Sequence, residues 1–139
     1  MSKILVADDE AILRDAIAEA LRRAGHSVDA FDSGRAALDR FARERYDLVI
    51  SDLKMPGMDG IAVLEEVRRL APDVPVVIIT AHGTVENAVG AMKKGAYDYI
   101  IKPFELVELE HLVGRALEHR ALSVENEVLR ARVSEQNGP

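Results

Sequence analysis

The chain has 139 residues, 48% apolar and 30% charged, with a formal net charge of -6 and no cysteine. That length suits one domain with a real core; the acidic balance argues against non-specific binding to nucleic-acid phosphates, and the lack of cysteine excludes disulfides, thiolate metal sites and thiol nucleophiles. The apolar runs are too short to span a bilayer, and Asp8, Asp9 and Glu10 follow the first of them too closely for a signal peptide, so an intracellular, cytoplasmic protein is expected.

Lys3-Ile-Leu-Val-Ala7 reads as a buried strand ended by Asp8-Asp9-Glu10. Ile12, Leu13, Ala16, Ile17, Ala20, Leu21 and Ala24 then recur at helical spacing, and Gly25 supplies a left-handed stop. A short strand from Val28 to Phe31 precedes Ser33, the N-cap of a helix presenting Ala37, Leu38, Phe41 and Ala42. Leu48-Val-Ile50 is a third strand, stopping at Ser51 and Asp52. A loop with Pro56, Gly57 and Gly60 leads to a helix capped by Asp59, with Ile61, Leu64 and Val67 on one side. Val76-Val-Ile-Ile79 is the fourth strand, closing in Thr80-Ala-His-Gly83. Thr84 caps a helix carrying Val85, Ala88, Val89 and Met92, which Gly95 ends. Tyr97 to Ile101 is the last strand, and a final helix starts near Glu105. Strands alternating with helices require crossover connections, hence an α/β fold with a parallel sheet covered on both faces.

Folding this alternation brings strand ends to one rim. Asp8 and Asp9, Asp52, Thr80 and Lys102 then gather there: three carboxylates, a hydroxyl and an ammonium. Ligands bind at that rim in open α/β sheets. Two carboxylates about 4 Å apart repel by roughly 4 kcal/mol at an effective dielectric of 20. Such a cluster must take protons, a lysine or a divalent cation. Hard oxygens without His or Cys favour Mg²⁺. A carboxylate beside that ion can attack a phosphoryl group, with Lys102 and the Thr80 hydroxyl holding its oxygens. Taken singly, each residue has a plainer reading. Asp52 ends a strand, Asp8-Asp9 starts a helix, Thr80 is a β-branched strand residue, and Lys102 is a solvated charge. Their joint placement at four strand ends is what points to chemistry.

Four stretches in order carry a family resemblance: Ile4-Leu-Val-Ala-Asp-Asp-Glu10, Asp47 to Gly60, Val77-Ile-Ile-Thr-Ala-His-Gly83 and Gly95 to Phe104. They resemble the receiver domain of two-component response regulators, over residues 3 to about 120. The resemblance implies a flavodoxin-like (CheY-like) sheet of strand order 2-1-3-4-5, an order of which receivers are a standard example. It further implies that Asp52 accepts a phosphoryl group from a phosphohistidine on a histidine kinase. By the same resemblance Asp8, Asp9, Asp52 and the backbone carbonyl of Lys54 serve Mg²⁺, Lys102 pairs with the phosphoryl oxygens, and the Lys102-Pro103 bond is cis. Ala81 is small where the phosphate is reached. Thr80 and Tyr99 are the switch, and the face of the fourth helix, last strand and last helix changes shape. Lys54 and His82 stand where this family tunes hydrolysis of the acyl phosphate. The protein would catalyse only its own phosphorylation and dephosphorylation, and would not be an enzyme otherwise. His26, His111 and His119 read as exposed.

The last helical pattern overruns a receiver. Leu117, Ala121, Val124 and Val128 step at three and four residues, and no Pro or Gly interrupts residues 115 to 135. About 29 helical residues reach some 43 Å. The overhang reads as a two-stranded coiled coil making a homodimer. We divide the chain into a receiver, 1-119, and a helical linker, 120-139. Leu122-Ser-Val-Glu-Asn-Glu-Val-Leu-Arg130 and Thr80-Ala-His-Gly83 resemble the NtrC-like class of sigma-54 activators. That implies missing ATPase and DNA-binding domains, transcription control through them, and no direct nucleic-acid binding or membrane association by this piece. Two other readings compete. A haloacid-dehalogenase-like phosphatase needs Asp-x-Asp after the first strand, where this chain has adjacent Asp8 and Asp9. A flavodoxin-like electron carrier needs a hydroxyl-rich loop there.

Overall fold

In the computed structural model residues 2–81 and 85–137 are described, with side chains for 2–81 and 86–122. The elements are β1 (Lys3–Ala7), α1 (Ala11–Arg23), β2 (Ser27–Phe31), α2 (Gly34–Phe41), β3 (Leu48–Asp52), α3 (Gly60–Leu70), β4 (Val76–Thr80), α4 (Val85–Lys93), β5 (Asp98–Ile101) and α5 (Leu106–Asn137). Five parallel strands pair in the order β2-β1-β3-β4-β5. The order reverses between β1 and β3, which opens a crevice at their carboxyl ends.

Alternation along each strand divides the core in two. Leu5, Ala7, Val49, Val76 and Ile78 face one layer, which α2, α3 and α4 cover through Ala37, Val63, Leu64, Val67 and Ala91. Ile4, Val6, Leu48, Ile50, Val77 and Ile79 face the other, with Ile17 and Leu21 of α1 and Leu109, Leu112, Val113 and Ala116 of α5. All five residues of β3 and all five of β4 are buried, as strands covered on both faces must be. Among the described residues no helix is long and apolar enough to cross a membrane.

Local signals act where the sequence places them. The Ser33 hydroxyl accepts from the Ala36 N–H, and the Asp59 carboxylate from the Ala62 N–H. Gly25 follows α1 with φ at 97°. Several apolar residues read at helical spacing are exposed. Ile12 is 89% exposed, and Val89 and Met92 are also open to solvent. In α1 the buried side runs through Ile17, Ala18, Ala20 and Leu21, and Ile12 lies about 140° around the helix from Ile17. His26, expected to be exposed, is half-buried, and its Nδ1 has no hydrogen-bond partner among the described residues. The cap expected at Thr84 and the tuning position His82 lie outside the described residues, as do the side chains of Val124 and Val128.

Gly60 shows how tightly the loop after β3 is drawn back. Its N–H donates to the Leu53 carbonyl at 2.8 Å. A Cβ there would stand 2.4 Å from the Asp52 carbonyl oxygen and 2.9 Å from the Leu53 Cα. Backbone on both sides cannot yield, so Gly60→Ala should lose about 2–3 kcal/mol of stability in urea unfolding. Gly90, inside α4, would put a Cβ into open space. Gly90→Ala should gain about 0.5–1 kcal/mol. Equal effects at the two sites would contradict the tight return after β3.

Candidate functional site

The site forms because β1, β3, β4 and β5 are parallel and end at one rim. Asp8 follows β1, Asp52 is the last residue of β3, Thr80 the last of β4, and Lys102 follows β5. Thr80 is level with Ile101, and the Lys102 N–H donates to the Thr80 carbonyl at 2.8 Å, so the strand ladder itself sets Lys102 beside Thr80. The Lys102-Pro103 peptide is cis, as the resemblance implies.

Asp8, Asp9 and Asp52 each offer a carboxylate oxygen within 4.8 Å of the others. Asp8 is wholly buried and Asp52 is 5% exposed, while Asp9 lies at the open rim. Asp8 Oδ1 accepts the Glu10 N–H at 2.9 Å, but Asp8 Oδ2 is buried with no hydrogen-bond partner among the described residues. Buried carboxylate oxygens are rarely left so. A hard divalent cation such as Mg²⁺ fits this donor set: clustered carboxylate oxygens, one of them unsatisfied. Lys54 lies two residues past Asp52, with its side chain in solvent, so only its backbone is a candidate ligand.

Lys102 holds the cluster together. Its Nζ reaches Asp52 Oδ2 at 3.2 Å and stands 4.0 Å from Asp8 Oδ2. It also donates to Glu10 Oε1 at 2.9 Å. Glu10 is a member of the site that the sequence reading missed; its place directly after Asp8-Asp9 was the available signal. Arg14, one turn into α1, donates from Nη1 to the Asp8 carbonyl at 3.1 Å and was missed as well. Tyr99 is half-buried and packs against the core layer under α3 and α4.

The electrostatics follow from burial. Desolvation pushes the Asp52 carboxyl up to about 6, with Asp8 adding to the rise and Lys102 opposing it. Asp8 is raised too, by its own burial first, against the Glu10 N–H and Lys102. Burial pulls Lys102 down, but Glu10, Asp52 and Asp8 outweigh it and leave the ammonium above its ordinary value. Two buried acids are thus held against their preference by a single cation.

A stability test follows. The folded value of Asp52 exceeds that of an unfolded Asp, so the proton favours the fold. That contribution is full below about pH 4 and is lost as pH rises through about 6. In a chelating buffer, Asp52→Asn should therefore raise urea stability at pH 7.5 by about 2–3 kcal/mol and do little at pH 4. A gain independent of pH would mean that Asp52 is not a strained acid.

The model of the response regulator receiver domain matches residues 4–114. The response regulator protein FleR of Pseudomonas aeruginosa is 47% identical over 114 residues, 82% of this chain and 24% of FleR. The DNA-binding transcriptional regulator NtrC of Klebsiella pneumoniae is 41% identical over 114 residues, again 82% of this chain and 24% of NtrC. The crystal structure of NtrX from Brucella abortus superposes with a TM-score of 0.89 at 39% identity, covering 95% of this chain and 30% of that one. The chain thus spans about a quarter of the length of the curated relatives it matches. The matched region contains every residue of the rim, in a sheet of the expected order, and the chain belongs to the response regulator receiver domain family.

Proposed function

We propose that this domain takes a phosphoryl group from a histidine kinase onto Asp52 and uses it to switch its surface. The observation that carries the reading is Lys102 within 3.2 Å of a buried Asp52 that shares its pocket with Asp8 and Asp9. Asp8, Asp9, Asp52 and the Lys54 carbonyl would hold Mg²⁺. When bound, that ion would screen the repulsion between the carboxylates and the incoming phosphoryl oxygens.

The remaining chemistry falls to the chain's own residues. A carboxylate oxygen of Asp52 attacks phosphorus, and the P–N bond to the kinase imidazole breaks. The electron pair of that bond stays on the ring nitrogen, which takes up a proton. Lys102 exchanges its contact with Asp52 for one with a phosphoryl oxygen, and the Thr80 hydroxyl donates to another. Phosphorylation adds about two negative charges. A shift from 1:99 to 99:1 needs about 5.5 kcal/mol, within reach of two or three charge-assisted hydrogen bonds. Thr80 moves toward the new group and Tyr99 fills the space it leaves, changing the face of α4, β5 and α5. Outside this self-phosphorylation and its own dephosphorylation by hydrolysis the domain is no enzyme.

The helix running past residue 119 supports a division into a receiver, 1-119, and a linker, 120-139. We read the linker as a coiled coil in a homodimer, with Leu117, Ala121, Val124 and Val128 along its seam. The likeness to NtrC supports a place in a cytoplasmic sigma-54 activator whose ATPase and DNA-binding domains the receiver controls.

Acetyl phosphate tests the transfer without the kinase. With Mg²⁺, intact mass should show one phosphoryl adduct, mapped to Asp52 and absent from Asp52→Asn. An adduct on another residue would overturn the assignment. Lys102→Ala should slow adduct formation about a hundredfold, and an unchanged rate would remove Lys102 from the mechanism.

A further inference from the structure

A second cluster of charge lies at the opposite edge of the sheet, where α5 leaves the domain. The buried stripe of α5 runs through Leu109, Leu112, Val113 and Ala116. One turn on, the same stripe reaches residue 120, which is arginine. Arg120 Nη1 donates to Asp47 Oδ1 at 2.9 Å, and Nη2 to Asp73 Oδ2 at 3.4 Å. Asp47 is itself fixed, since its Oδ2 accepts the Lys3 N–H at 2.8 Å and its own N–H donates to the Lys3 carbonyl at 2.7 Å. All three side chains are mostly shielded from solvent. Beside them the His119 ring lies 5.4 Å from the ring of Tyr97, just before β5. Beyond this turn Ala121 and Leu122 are exposed, so Arg120 makes the last described contact between helix and domain.

The positions of the two carboxylates matter. Asp47 directly precedes β3, whose far end is Asp52, and Asp73 precedes β4, whose far end is Thr80. At 100° per residue, the stripe 109-112-113-116-120 and the seam 117-121-124-128 lie about 90° apart around the helix. Arg120 closes the first face just where the second takes over.

We propose that Arg120 is a clamp that fixes both where α5 ends as part of the domain and how the linker beyond it is rotated. An arginine fork on two carboxylates from different loops resists rotation as well as lifting. The clamp holds the helix to the amino ends of the two strands that carry Asp52 and Thr80. Its use in presenting the seam to a second copy rests on the coiled-coil reading; the clamp itself does not.

Two measurements separate these. In Arg120→Met, which keeps the apolar stem, amide exchange at residues 118–122 should rise about tenfold. Exchange in β1, β3 and β4 should stay as in the wild type. Asp47→Asn with Asp73→Asn should reproduce the effect. Unchanged exchange at 118–122, or an equal rise in the strands, would overturn the clamp. Because the chain has no cysteine, single cysteines then report rotation. Val124→Cys, on the seam, should cross-link between copies at least tenfold faster than Asn126→Cys, which lies about 200° around the helix. Adding Arg120→Met should shrink that ratio severalfold. A ratio unmoved by Arg120→Met would overturn the control of rotation. No preference in the otherwise unaltered protein would sink the coiled-coil reading and leave the clamp to be judged by exchange.

Discussion

The structure depends on one electrostatic bargain: two buried acids, Asp8 and Asp52, share one ammonium, that of Lys102. One positive charge cannot satisfy two buried carboxylates, so the pocket keeps an unfilled demand for cations. Burial raises both acids, and Asp8 Oδ2 has no hydrogen bond among the described residues. A protein built for stability alone would place apolar residues there. The strain makes sense under the proposed function, in which a divalent cation would complete the site and Lys102 would exchange partners when a phosphoryl group arrives.

The fold makes that strain possible. Four parallel strands deliver Asp8, Asp52, Thr80 and Lys102 to one rim from points spread over more than ninety residues. The ladder between β4 and β5 sets Lys102 beside Thr80, and the tight return at Gly60 holds the loop after Asp52 against the strand end. The central strands β3 and β4 are buried along their whole length, so the polar pocket sits on a closely packed frame. The opposite edge has its own charged fixture in Arg120, Asp47 and Asp73, and the same two central strands join the two ends.

Most of the fold was legible because apolar runs, caps and glycines agree at each boundary. Asp52, Asp8, Asp9 and Lys102 were legible because strand ends in a parallel sheet must meet. Other features were hidden for physical reasons. Helical period alone does not say which side of a helix is covered, so Ile12, Val89 and Met92 fit the apolar spacing and yet lie open to solvent. Glu10 joins the site only because Lys102 crosses the crevice to reach it. Arg120 looks like one more surface charge in a charged helix until the loops bearing Asp47 and Asp73 are folded beneath it.

The central claim is that the crowded acids form a cation site at the β1–β3 crevice. Mg²⁺ titration followed by backbone amide shifts tests it most directly. The account predicts one saturable site, with shifts concentrated at residues 8–10, 52–54 and 102, and its loss in Asp9→Asn. Shifts spread over other acidic surfaces, or saturation unaffected by Asp9→Asn, would contradict it.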